Sequence, residues 1–117
     1  MADRCYADLL AGGWRALTFS PFRDGVDICW LERGETPNDP SLAVLRYAPG
    51  ACVPRHRHMG LETIVVLDGA QSDETGELRA GSVALNVPGT AHSVWSKDGC
   101  VVLIHWTKPV EILDSER

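Results

Sequence analysis

The sequence predicts an all-β sandwich or barrel with little helix. Short runs rich in β-branched and aromatic residues recur along the chain, spaced by about eight to twelve residues, the rhythm of such folds. Turn-forming pairs such as Pro49-Gly50, Asp68-Gly69 and Pro88-Gly89 punctuate them. Only residues 4–11 read as helical.

Taken in order, Arg4–Ala11 suits one or two helical turns stopped by Gly12 and Gly13. Trp14–Phe19 is predicted as a strand, followed by a turn over Pro21–Asp24. Gly25–Glu32 alternates Val26, Ile28 and Trp30 against Asp27, Cys29 and Leu31, the signature of a strand with one better-buried face. Arg33–Pro40 is dense in Gly, Pro, Asn and Asp and reads as a loop. Ser41–Ala48 and residues 55–59 follow as strands. Leu61–Leu67 is an apolar run whose Asp68-Gly69 ending signals a hairpin. Short strands are expected at Ala70–Ser72 and Glu77–Arg79 around a turn at Glu74–Gly76, then at Ser82–Val87, Ala91–Ser96 and Cys100–Trp106. Residues beyond Pro109 are expected to trail along the surface.

Composition narrows the function classes. The chain has 117 residues, enough for one domain (residues 1–117, core about 14–106) with a full core. Its net charge of −5 argues against nucleic acid as the main partner, which leaves a basic footprint. No apolar run approaches the ~18 residues of a membrane span, and no signal-peptide pattern opens the chain. A cytoplasmic location and no membrane partner are the expectation. Cys5, Cys29, Cys52 and Cys100 are widely spaced, without the C-x-x-C pair of a zinc ribbon or thioredoxin site. They read as small hydrophobes, although Cys52 lies closest to the histidines in sequence.

The chemistry concentrates in Gly50–Gly69. Pro54 blocks a helix through His56 and biases the preceding residue to extended geometry. On a strand, His56 and His58 share a face while Arg55, Arg57 and Met59 point away. Glu62, after the bend at Gly60, can bring a carboxylate to the same side. Two imidazoles and a carboxylate make the triad that suits non-heme iron, and His92 as a further ligand suits zinc or manganese. Otherwise Glu62 orients an imidazole by accepting its N–H. His105 shares strand parity with Val101 and Leu103 and reads as a structural or rim residue. Trp14, Trp30, Trp95 and Trp106 read as core or dimer-interface residues; an aromatic cage for a ligand is the alternative, with no spacing signature behind it.

Gly50, His56, His58, Glu62 and Gly69 fit G-x5-H-x-H-x3-E-x6-G, which resembles the first motif of the cupin superfamily. Gly81, Gly89 and His92 keep the spacing of that superfamily's second motif, with Val87 at its proline position and Ser96 at its asparagine. PRHRHMGLE, LDGAQSDETGELRAGS, NVPGTAHSVWSKDGC and WRALTFSPFRDGVDICWL resemble the ChrR-type cupin domain, the C-terminal half of zinc-dependent anti-sigma factors. The resemblance implies a cupin double-stranded β-helix, that is, a jelly-roll barrel. It also implies one divalent metal ion on His56, His58, Glu62 and His92, with zinc favoured over iron, manganese or nickel. The H-x3-C-x2-C sigma-binding domain of those factors has no counterpart here, so the chain resembles the cupin half standing alone.

The function this implies is a regulatory or sensory domain responding to oxidants or small reactive ligands. A small metal-dependent dioxygenase acting on diketone-like or phenolic substrates is the alternative, and a metal-storage or structural barrel is a third class. No catalytic acid or base besides Glu62 stands out. The run Leu61–Leu67 is apolar on both faces, which in so small a barrel predicts a second copy of the chain as cover, hence a homodimer.

Overall fold

The structure, a computed structural model, describes residues 2–113. Its strands are β1 (Ser20–Arg23), β2 (Val26–Glu32), β3 (Ser41–Tyr47), β4 (Cys52–Arg57) and β5 (Glu62–Asp73). They continue as β6 (Gly76–Arg79), β7 (Val83–Asn86), β8 (Ala91–Trp95), β9 (Cys100–Trp106) and β10 (Glu111–Ile112). Among the described residues helix is confined to two short 3-10 turns, Leu9–Ala11 and Gly13–Ala16. The strands pair in the order β1-β2-β3-β9-β5-β8-β4-β10, with β6 and β7 also on β5. This curled antiparallel sheet is the expected jelly-roll barrel.

The long strand β5 joins the two halves of the barrel. Glu62–Gly69 pairs with β9, and its first residues also pair with β7. Ala70–Asp73 pairs instead with β6, and Ser72 and Asp73 also with β8. A strand serving both halves must bend, and the register slips between Val66 and Asp68. Gly69 sits at φ 72°, and a Cβ there would lie 2.3 Å from the Gly99 carbonyl oxygen, so only glycine fits the bend. Asp68-Gly69 is therefore a bulge, not the predicted hairpin turn. The turn falls after Asp73, whose Oδ1 accepts the Thr75 N–H at 2.8 Å.

Alternation sorts the side chains into two layers. Val26, Ile28, Ala43, Leu45, Ile64, Val66, Val102 and Ile104 fill the barrel interior. Each buried valine or isoleucine stabilises by about 1.5–3 kcal/mol over its exposed state. On the outer face, Trp14 packs with Leu31, Val44 and Val101. The predicted strand Trp14–Phe19 is replaced here by the second 3-10 turn, because Trp14 must fold back onto this face. The predicted turn over Pro21–Asp24 is in fact mostly strand: Pro21 sits in edge strand β1, where a missing N–H costs no ladder bond.

Residues after Pro109 do not simply trail. Glu111 and Ile112 pair with Arg57 and His56 of β4, covering the open edge of the histidine strand. No helix among the described residues is long and apolar enough to cross a membrane.

Candidate metal centre

Two cross-strand rows face each other inside the barrel. In one, Glu62 of β5 stands directly between Asn86 of β7 and Trp106 of β9. In the other, His56 of β4 pairs with His92 of β8. His58 lies just past the end of β4, where its backbone N–H donates to the Thr90 carbonyl at 2.8 Å. That bond holds the loop against β8 and keeps His58 on the inner side, as the period of two predicts. Arg55 and Arg57 face outward near Glu74 and Glu111.

One nitrogen, carboxylate oxygen or equivalent donor from each of His56, His58, Glu62 and His92 lies within 4.8 Å of all the others. The structure thus brings together the four residues singled out in the sequence. His105 is not among them; it pairs with Thr63 and Leu42 on the opposite parity from Trp106. Cys52 is exposed on the other side of β4.

The tautomers follow from the hydrogen bonds. His56 Nδ1 donates to the Pro54 carbonyl at 3.0 Å. His58 Nδ1 lies 3.0 Å from the Thr90 carbonyl and 2.9 Å from its Oγ1, whose own proton goes to the Val87 carbonyl. His92 Nδ1 donates to Asp73 Oδ2 at 2.9 Å. Every imidazole therefore spends Nδ1–H on a fixed acceptor and offers Nε2 to the centre. Nε2 of His58 and of His92 are buried with no hydrogen-bond partner.

Glu62 is just as constrained. Asn86 Nδ2 donates to its Oε1 and Trp106 Nε1 to its Oε2, both at 2.8 Å. Burial by itself would push the Glu62 carboxyl up, but His58 and Asn86 outweigh it and the group sits below its ordinary range. Burial pushes the His56 imidazole down, so its neutral, ligating form is favoured, against a weaker opposing pull from the Pro54 carbonyl. Partial burial acts upward on Asp73, yet the bonds from Thr75 and His92 keep that carboxyl below its usual range as well.

An ionised carboxylate oxygen, Glu62 Oε1, thus lies 3.4 Å from the buried, partnerless His58 Nε2. With Nδ1–H already spent on Thr90, this Nε2 and the carboxylate stay together only with a proton or a metal cation between them. Ligands held about 2.1 Å from one ion at a tetrahedral angle are separated by about 3.4 Å, so this donor pair fits a zinc-sized ion. The residues present suit a divalent metal.

Asp73, Thr90, Asn86 and Trp106, which position these four side chains, carry no motif signal in the sequence. Strand parity alone placed Trp106 opposite His105, without revealing Glu62 as its partner. Phe22 and Trp30 join Trp106 in lining a cavity beside the cluster. Arg23 and Val110 line both that cavity and the space around His56, Glu62 and His92.

The family described as ChrR cupin-like domain matches residues 11–111. A chain of the Rhodobacter sphaeroides complex of SigE with the anti-sigma ChrR is similar at 26% identity and TM-score 0.72, over 86% of this chain and 55% of that one. This chain thus spans little more than half of that relative. An RmlC-like cupin protein from Ralstonia eutropha JMP134 is similar at 19% identity and TM-score 0.73, over 86% and 67% of the two chains. An acetylacetone dioxygenase from Acinetobacter johnsonii is similar at 18% identity and TM-score 0.70, over 83% and 72%. Those two likenesses speak to the fold alone. No curated protein matches the sequence.

Proposed function

The chain belongs to the ChrR cupin-like domain family, and from that premise we propose that it is a metal-binding regulatory or sensory domain. His56, His58, Glu62 and His92 hold one divalent ion, with zinc favoured because three imidazoles and a carboxylate satisfy its usual four-ligand shell. The observation that carries this reading is the pair of partnerless Nε2 atoms, one of them against an ionised carboxylate. When bound, the ion supplies a Lewis-acid centre.

The chain's own residues fix that centre rather than serve a reaction. Asp73, Thr90 and the Pro54 carbonyl lock the three rings, while Asn86 and Trp106 occupy both Glu62 oxygens. Glu62 already accepts two hydrogen bonds and sits below its ordinary range, so it is a poor proton acceptor. This favours sensing or regulation by small oxidants or reactive ligands over acid–base catalysis. The free thiols among the described residues are consistent with a reducing cytoplasm.

The second reading is a dioxygenase acting on a diketone-like or phenolic substrate, favoured by the cavity beside the cluster. An oxygen-electrode screen of iron-reconstituted protein with acetylacetone and catechol separates the two. The sensory reading expects no uptake above buffer. Turnover that disappears in His58→Ala establishes the oxygenase instead.

We also propose that the barrel pairs with a second copy. The chain's own N-terminal segment covers the outer face around Val44 and Val101, but Val83 and Leu85 on β7 remain 62% and 61% exposed. With Val87 they form an apolar rim on the outer face of β7, which among the described residues pairs only with β5. Light scattering at micromolar concentration is expected to give twice the monomer mass.

A further inference from the structure

The cavity beside the cluster has walls of a particular chemistry. It encloses about 500 Å³, inside the range of about 300–1,000 Å³ typical of small-molecule sites. Phe22 of β1, Trp30 of β2 and Trp106 of β9 stand around it with ring centroids 5.9–6.3 Å apart. The rings meet edge-to-face or tilted, at 85°, 35° and 51°, so three different strands build one angled aromatic wall. Sequence separation hides it, since only the strand register brings these rings together.

Two cations belong to the same lining. The Arg23 guanidinium carbon lies 4.9 Å from the Phe22 centroid and that of Arg33 lies 4.5 Å from the Trp30 centroid. Stacking on a ring holds each guanidinium near the cavity wall while leaving its N–H edge free to donate. Neither arginine enters an ion pair among the described residues. Glu35 and Asp39 also line the cavity. Asp39 Oδ2 accepts the Thr36 N–H at 2.9 Å and so closes its own loop, and Glu35 is solvent-exposed.

We propose that this vestibule binds a planar aromatic carboxylate. Its ring lies against Trp30 and Trp106, and its carboxylate meets the paired donors of Arg23 and Arg33. An aromatic wall favours an aromatic ring through stacking and edge contacts, and forked guanidinium donors match a carboxylate with two hydrogen bonds each. A neutral analogue forfeits those charge-assisted bonds, and an ammonium analogue meets two like charges.

The site's position gives it meaning. Trp106 lines the vestibule with its ring and donates Nε1–H to Glu62 with its edge. An occupant therefore touches a residue bonded directly to the histidine–glutamate cluster. In this the proposal deepens the sensory reading by naming a class of effector, and it rests on that reading for its role but not for binding.

The test is calorimetric titration of the protein as purified with 2-naphthoate, 2-naphthalenemethanol and 2-naphthylmethylamine. Naphthoate is expected to bind at least about tenfold tighter than the alcohol, with the amine weakest. Arg33→Gln, an exposed position, is expected to weaken naphthoate by about threefold or more, with Arg23 still in place, and leave the alcohol unchanged. Trp30→Leu weakens both. The proposal is overturned if naphthoate does not bind, if the alcohol binds equally well, or if Arg33→Gln has no effect. It is also overturned if binding disappears in Val83→Ser/Leu85→Ser, which places the ligand on the β7 rim, or in His92→Ala alone, which places it on a metal. Failure of the metal reading appears separately, in elemental analysis, and leaves the naphthoate result standing.

Discussion

Removing the Asp73 carboxylate tests whether the rings are held for metal binding. Asp73 Oδ2 is 2.9 Å from His92 Nδ1 and fixes both the tautomer and the plane of that ring. In Asp73→Ala the imidazole loses its acceptor, and its Nε2 lone pair is no longer aimed at the centre. Loss of such a supporting bond costs about 10–100-fold in metal affinity, or about 1.4–2.7 kcal/mol. Thr90→Val serves as the internal comparison. It deletes the Oγ1 acceptor at 2.9 Å from His58 Nδ1 but leaves the Thr90 carbonyl at 3.0 Å, so a loss of no more than about threefold is expected. Asp73→Asn keeps an acceptor oxygen and should recover most of the affinity. Competition against a chromophoric zinc chelator measures all three. Wild-type affinity in Asp73→Ala, or a larger loss in Thr90→Val, refutes the argument that these bonds aim the ligands.

Three further outcomes follow from the same geometry. Stripping metal with a chelator is expected to lower the melting temperature by about 10 °C when the ion had been present at about a hundred times its Kd, and calorimetry with re-addition checks it. Val102→Ala, at a fully buried position between β3 and β5, is expected to cost about 2–3 kcal/mol in urea denaturation, from lost transfer energy plus a residual cavity. Burial pushes the Cys100 thiol up to about 11. Iodoacetamide at pH 8 should therefore label exposed Cys5 and Cys52 in the native protein and reach Cys100 only after unfolding, as peptide mass mapping will show.

The cluster was legible because its spacing maps onto strand parity. His56 and His58 stay on one side even though His58 leaves the strand, and the register from β4 to β8 sets His92 directly opposite His56. The supports were not legible, since Asn86 and Trp106 reach Glu62 only through cross-strand register, which local pattern does not encode. Element boundaries failed where tertiary packing overrode local preference. Trp14 left a plausible strand to cover Val44, and Pro21 entered an edge strand that a turn rule would refuse it. Asp68-Gly69 kept its glycine requirement but spent it on a bend within β5. The two-residue strand β10 is too short to leave a pattern, and only pairing with Arg57 and His56 defines it.

His56, His58, Glu62 and His92 are proposed to hold a single divalent ion. Elemental analysis of protein purified without added metal, beside His58→Ala and His92→Ala prepared identically, tests it most directly. The expected result is close to one equivalent of metal per chain, mostly zinc, in the wild type and almost none in either variant. Folded wild-type protein that carries no metal and takes up none from a zinc-supplemented buffer would contradict it, as would variants that retain the full equivalent.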